Sequence, residues 1–419
     1  MNPTNKHTET FMKRLLLTAA LTFAVSASAV QGAEAPKAKK QQKEATDSSY
    51  VFTDIKVVPV SPIDNQSSSS TCWSFAGTGL LESEMLRQGK DTVNLSEMWI
   101  VRHTYLDKAI KYARTHASSS FSPGGNTHDV ITILRNHGIV PQEVYAGLRY
   151  SLDSIHRHGE LDAVLGNYMR AVVSAPNKTL SPVWQDGLNG ILDAYLGPCP
   201  EKFTYKGKEY TPQSFAAAMG LNPDDFVSFT SYTHHPFYSR FAVEIPDNWA
   251  WETSANVPID DMMAIIDNAL ENGYAVNWSA DVSEKGFRYN DGFAIIPAES
   301  LDEVAGSDMA HWTGLTKEQL AKMSQKVTGP MPEKTITQEM RQKAFDNYET
   351  TDDHGMVIVG IAQDQWGNKF YKVKNSWGER GKYKGFFYAS EPYVRYKTMN
   401  IMVNRAAVPQ AIADKFSNL

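Results

Sequence analysis

The stretch Asp64-Asn65-Gln66-Ser67-Ser68-Ser69-Ser70-Thr71-Cys72-Trp73-Ser74-Phe75 decides how the rest of the chain is read. Its hydroxyl run cannot sustain a helix, but such residues are good N-caps. Beyond it Trp73, Ala76, Gly77, Leu80 and Leu81 recur at three- and four-residue spacing, until Gly89 stops the pattern. The spacing predicts a helix whose first turn carries Cys72. The N-terminal end of a helix carries partial positive charge and unpaired N–H groups. Both favour the thiolate, the nucleophilic form of cysteine. Taken alone, a free cysteine is more often buried and inert, so the reading depends on what else the chain holds.

Working outward, Val51 to Val60 has a strand-like pattern that Ser61-Pro62 ends. A second helix is expected from about Asn94-Leu95-Ser96-Glu97-Met98. A turn at Pro123-Gly124-Gly125-Asn126 precedes a third, with Val130, Ile131, Ile133 and Leu134 on its apolar side and Gly138 at its end. The clearest β signal comes late. Met356 to Ala362 reads as a buried strand, Lys369 to Lys374 alternates with period two, and Gly385 to Ala389 is a third strand. Helices first and antiparallel strands last make an α+β pattern. Between the two blocks, Ser151 to Ala175 and Val257 to Asn272 read as helices, and Tyr274 to Val282 and Gly292 to Pro297 as strands.

Three further positions complete a chemistry around Cys72. Gln66 stands six residues ahead, where its amide could join the Cys72 N–H in an oxyanion hole. His354 immediately precedes the Met356 strand, and an imidazole there could activate the thiol. Asn375 follows the next strand, and its side-chain oxygen could fix the imidazole tautomer. Trp377 could cover that bond. Each alone reads more readily as an ordinary loop or turn residue.

Jointly, Gln66-x5-Cys72-Trp73-Ser74-Phe75, His354-Gly355-Met356 and Lys374-Asn375-Ser376-Trp377-Gly378 resemble the papain family of cysteine peptidases. The resemblance implies a papain-like fold, with a helical half carrying the nucleophile helix and an antiparallel β half. It makes Cys72 the nucleophile, Gln66 the oxyanion side chain, His354 the general acid/base and Asn375 its orienter. Gly124 and Gly125 become the segment that pairs with substrate backbone. Read from the residues alone, Asp352-Asp353 just before His354 could tune it or shape the adjacent pocket, or could be a solvated acidic turn. No cofactor is implied.

Two departures refine the expectation. Papain itself has Cys-Gly-Ser-Cys-Trp where this chain has Ser-Ser-Ser-Thr-Cys-Trp, so the structural disulfides are missing. Cys199 is the one other cysteine, and a bridge to it would disable Cys72. About 200 residues separate the two blocks, and the chain runs on past the last expected strand to Leu419. These features look like the bleomycin hydrolase and bacterial aminopeptidase C branch. There, insertions decorate the core (here about 151–347), six copies form a cage, and the C-terminal tail lies in the cleft. The resemblance implies an aminopeptidase acting on peptides. Residues 406–419 would be its gate, with the Leu419 carboxylate binding the substrate α-ammonium. The alternatives are a papain-like endopeptidase and a non-catalytic papain-fold binding protein.

The 419 residues, 42% of them hydrophobic and 21% charged, exclude a disordered or fibrous chain. A net charge of −6 offers no footprint for nucleic acid. Met12-Lys13-Arg14, the apolar run Leu15 to Val25 and Ala27-Ser28-Ala29 read as a secretory signal cut near residue 29. Export to the periplasm or beyond is expected, with residues 30–49 a disordered leader ahead of a peptidase domain over 50–405. No later run is long enough to span a membrane. His156 with His158, and His234 with His235, have no Cys or carboxylate at ligand spacing, so no metal site is expected.

Overall fold

The structure, a computed structural model, describes residues 49–176, 179–298, 329–417 and 419. The expected signal sequence and nearly all of the leader lie outside these residues. Among the described residues, no helix is long and apolar enough to cross a membrane.

The first part of the chain builds a helical half. A short strand, β1 (Phe52–Val57), leads through the serine run to α1 (Cys72–Arg87), α2 (Glu97–Arg114) and α3 (Thr127–His137). The Ser96 hydroxyl caps α2 by accepting the Trp99 N–H at 3.0 Å. Every residue of α1 from Trp73 to Met85 is buried, so this helix is central and shows only a blunt amphipathic pattern. Its glycines allow close approach. A Cβ at Gly77 would fall 2.4 Å from Val130 of α3, and one at Gly79 would fall 3.3 Å from Val357. The Thr71 hydroxyl, expected as a cap for α1, bonds Ser69 Oγ at 2.6 Å instead.

The middle of the chain supplies α4 (Gly159–Ser174), α5 (Trp184–Tyr195) and the hairpin β2 (Phe203–Tyr205) and β3 (Lys208–Tyr210). Then come α6 (Pro212–Ala218), β4 (Phe226–Thr230), β5 (Arg240–Ala242), β6 (Thr253–Asn256), α7 (Ile259–Glu271), β7 (Val276–Ala280), β8 (Phe287–Arg288) and β9 (Phe293–Ala294). The end supplies α8 (Gln338–Asp346), β10 (His354–Asp364), β11 (Lys369–Lys374), β12 (Phe386–Ser390), α9 (Glu391–Lys397), β13 (Thr398–Asn404) and α10 (Gln410–Ala413).

One mixed sheet runs in the order β5-β6-β4-β13-β7-β10-β11-β12-β9-β8. The long strand β10 lies against β11 along one edge. Its other edge is shared, β7 pairing with residues 354–358 and β1 with residues 360–364. The segment 151–347 is therefore not an appendage to a finished core: β7 and β4 from within it are sheet strands on either side of β13. The strand expected over Tyr274 to Val282 is present as β7, buried on both faces, and what the sequence does not reveal is its place in the central sheet, which depends on long-range pairing with β10 and β13.

Facing is fixed by the pairing, because laterally paired residues point to the same side of a sheet. A Cβ on Gly355 would approach Trp73 Cα at 3.2 Å, so Gly355 faces α1. Met356, its neighbour, faces away. Met356 pairs with Trp278, Trp278 with Ile401 and Ile401 with Phe229. Phe229 thus lies on the face opposite α1.

Candidate active site

The two ends of the chain meet through backbone pairing. Gln66 N–H donates to Ser376 O at 2.8 Å, and Gly378 N–H donates to Asp64 O at 2.9 Å. This antiparallel contact holds the loop before α1 against the loop after β11. It brings Gln66, Cys72, His354 and Asn375 into one site.

Cys72 is the first residue of α1, at the positive end of a central helix. His354 opens β10 and is buried. Its Nε2 lies 2.8 Å from Asn375 Oδ1, which also accepts the Ser376 N–H at 2.8 Å. An amide oxygen held by a backbone donor fixes which way the Asn375 side chain points. His354 Nε2 must then be the donor, and Nδ1 is left as the basic nitrogen. Trp377 lies over the imidazole, with ring centres 4.8 Å apart at 32°, and is backed edge-on by Tyr289. Asn375 is itself buried, so the bond is kept from water.

Gln66 is equally constrained. Its Oε1 accepts the Ser376 hydroxyl at 2.7 Å. No acceptor among the described residues takes its Nε2, which leaves that group to donate to an oxyanion.

Burial sets the resting charge of the pair. It pushes the Cys72 thiol up to about 12, aided by Asp247 and Asp352 and opposed by the N–H groups of Gly355 and Trp73. It pushes His354 down to about 4, opposed by the Asn375 bond. Each shift is the cost of a lone charge. Moving the thiol proton to His354 creates two opposite charges that offset one another.

The segment Pro123-Gly124-Gly125-Asn126 forms a wall against Trp73, the residue after Cys72. Trp73 Nε1 donates to Pro123 O at 3.0 Å. The buried Lys108 ammonium donates to Ser122 O at 2.8 Å and to Gly124 O. A Cβ on Gly125 would sit 2.8 Å from the Trp73 indole, so only glycine fits there. Trp249 belongs to this wall, its Nε1 donating to Asp129 Oδ2 at 3.0 Å.

Asp247 is where sequence reading is silent. It follows β5 and comes to rest on Gly124, where a Cβ would fall 2.2 Å from Asp247 Oδ1. Burial raises its pKa against the pull of Lys108. Asp352 rises well above the usual carboxylate range, through burial and then through Asp247 and Asp353. Nothing near Asp247 in sequence marks it; the fold alone carries it to the cleft. Ser376 also escapes a reading that stops at Asn375. Asp353 is exposed beside His354, and its carboxylate accepts the Thr351 hydroxyl at 3.0 Å.

The tail does not take the place expected for it. Phe416 packs edge-on against Phe229 and Tyr238, and Lys415 pairs with Asp261 of α7 at 3.1 Å. Phe229 is on the sheet face opposite α1. The tail is thus anchored at Phe416 on that face, and Leu419 packs against the main apolar core. Cys72 and Cys199 are both free thiols.

A helix-borne thiol, a histidine oriented by an asparagine and a pinned glutamine on a split helix-and-sheet fold define a cysteine peptidase with a papain-like fold. The family model of the Peptidase C1-like family matches residues 3–311 and 333–418, and the chain belongs to that family. Among similar proteins, an aminopeptidase C from Lactobacillus delbrueckii subsp. lactis is 21% identical, covering 93% of this chain and 89% of the relative. An aminopeptidase C from Streptococcus thermophilus is 23% identical, covering 82% and 80%. The mitochondrial cysteine proteinase 1 of Saccharomyces cerevisiae is 21% identical, covering 88% and 80%. The crystal structure of PepW from Lactobacillus rhamnosis HN001 shares the fold with a TM-score of 0.62 at 20% identity, covering 87% of this chain and 84% of that one.

Proposed function

We propose that this chain is a thiol-dependent aminopeptidase whose cleft selects a free α-ammonium through Asp247 and Asp352. The observation that carries the reading is the state of these two carboxylates. Both lie close enough to Cys72 to raise its pKa, and Asp247 adds to the raised pKa of Asp352. Among the described residues, neither has a hydrogen-bond donor or an ion-pair partner. Two carboxylates crowded together, with Lys108 acting on Asp247 only at a distance, favour a cation bound directly between them. A peptide N-terminus supplies one, with three donors. The aminopeptidase names of the similar proteins support the same reading.

The position matters as much as the charge. Asp247 covers Gly124, in the segment that would pair with the substrate on its acyl side. A longer chain extending that way meets carboxylates in place of an open subsite. The Cys72 thiolate attacks the carbonyl of the first residue, and Gln66 Nε2 with the Cys72 N–H holds the oxyanion. His354 protonates the leaving amine and then takes a proton from water for deacylation, with Asn375 holding its ring.

Asp352→Asn and Asp247→Asn test the assignment. Losing a charge-assisted contact costs about 1.5–3 kcal/mol, which raises KM for a free-amine substrate roughly 10- to 100-fold with kcat less affected. An unchanged KM in both variants contradicts it.

Export belongs to this proposal, supported by Met12-Lys13-Arg14, the run to Val25 and Ala27-Ser28-Ala29. Its test is the N-terminal residue of the protein recovered outside the cytoplasm. Assembly into a cage of six copies is likewise part of the proposal, carried by the resemblance, and is read from the mass in solution.

A further inference from the structure

The geometry points to a zinc site made by His234, His235 and Glu244, remote from the catalytic residues in sequence and, among the described residues, not hydrogen-bonded to them. The sequence offers two adjacent histidines with no ligand at metal spacing. The fold supplies what the spacing lacks. The chain turns at residues 233–235, so successive imidazoles fan to one side, and β5 returns Glu244 beneath both. His234 Nε2 lies 3.1 Å from Glu244 Oε2, and His235 Nε2 lies 3.3 Å from Glu244 Oε1. One ligand atom from each residue falls within 4.8 Å of the others. Ligand atoms about 2.0–2.1 Å from a tetrahedral zinc stand roughly 3.3 Å from one another. The two histidine–glutamate separations already match that.

Both rings are held as ligands need to be. His235 stacks on Phe241 at 4.2 Å and 23°, and His234 lies parallel to Phe345 of α8 at 5.7 Å and 11°. His234 Nδ1 faces the Gln342 side chain, 3.3 Å from Oε1 and 3.0 Å from Nε2. The Thr233 N–H and the Asp346 carboxylate fix that amide, binding its oxygen and nitrogen respectively. Metal at Nε2 moves the imidazole proton to Nδ1, where Gln342 Oε1 accepts it. Such an outer partner orients a ligating histidine and raises its basicity. Three protein ligands leave a fourth position for water or for a group from another molecule. His234 and Glu244 are exposed and His235 is half-buried, so the ion has a path in. Zinc here would tie the turn after β4 to Glu244 beyond β5, with Gln342 of α8 as the outer partner.

Zn²⁺ alone is the probe. Chelator-treated Cys72→Ala protein, in which the active-site thiol cannot take the ion, is titrated with Zn²⁺ against a chromophoric chelator. His235→Ala and Glu244→Gln are titrated beside it in the same background. One equivalent is expected, weakened by about tenfold or more in each variant, with X-ray absorption showing two imidazoles and oxygen. Glu244 is exposed and His235 half-buried, and unchanged circular dichroism checks that both variants keep the fold. Equal affinity in His235→Ala, or no zinc taken from the chelator, overturns the site.

Discussion

The Ser376 hydroxyl donates to Gln66 Oε1 at 2.7 Å, joining residues 310 positions apart. With the Gln66 N–H on Ser376 O, it fixes both ends of the oxyanion side chain from the same residue. Ser376→Ala frees the Gln66 amide to rotate. The expected result is a kcat lowered about tenfold with KM little changed, part of the 10²–10³ that losing an oxyanion donor costs. Ser376→Thr, which keeps the hydroxyl, restores most of it. Steady-state kinetics on one short substrate checks both.

Asn375 acts through His354 rather than on substrate. Asn375→Ala removes the acceptor that holds Nε2 as the donor, and kcat is expected to fall on the order of a hundredfold, the lower range of general acid–base effects. Labelling of Cys72 by a thiol-directed reagent, followed against pH, separates this from a folding defect. The variant should label with a shifted profile, not fail to label.

The acidic limb of the pH profile belongs to the ammonium clamp. Asp352 has a raised pKa, so its charged form is lost as pH falls through a value above the ordinary carboxylate range. Binding of an ammonium is lost with it. KM for a free-amine substrate is expected to rise as pH drops, and Asp352→Asn removes that dependence while raising KM throughout.

Beneath the site, burial raises Glu82 to about 7, although Lys374 opposes the shift. A folded-state pKa above the unfolded value of about 4.5 means that the folded state holds its proton longer. Stability from this group is therefore full below pH 4.5 and falls as pH rises through 7. Glu82→Gln keeps an acceptor for the Leu95 N–H, which Glu82 now takes at 2.7 Å. It is expected to flatten the pH dependence of the melting temperature across that window.

Much of the site is legible in the sequence because its chemistry is concentrated in short motifs. Cys72, His354 and Asn375 each sit at the start or end of an element that pattern reveals: α1, β10 and β11. The boundaries of β11 read correctly because lysines bracket and interrupt its apolar residues, Lys369-Phe370-Tyr371-Lys372-Val373-Lys374. By contrast β13 is buried throughout. Its run Met399-Asn400-Ile401-Met402-Val403 carries no alternation to read, yet it lies between β4 and β7 at the centre of the sheet. Asp247 is invisible for a different reason. Its role comes from a contact with Gly124, 123 positions away, and no local pattern encodes a contact of that range. The tail misleads because the resemblance supplies a cleft, whereas Phe416 finds Phe229 and Tyr238 on the far face.

That placement has its own consequence. Deleting residues 417–419 should leave the preference for a free amine intact, as measured by the ratio of kcat/KM on free and blocked substrates. Phe416→Ala should lower stability by about 1–2 kcal/mol, as loss of a partly buried aromatic does, without changing that ratio.

The most direct measurement compares a fluorogenic aminoacyl substrate bearing a free α-amine with its N-acetylated twin, under reducing conditions. The protein is assayed beside Cys72→Ala. The account predicts Cys72-dependent cleavage of the free-amine substrate, with the acetylated twin cleaved at least tenfold more slowly. Equal or faster cleavage of the acetylated twin would contradict it, leaving a cysteine peptidase whose carboxylates do not select the substrate N-terminus.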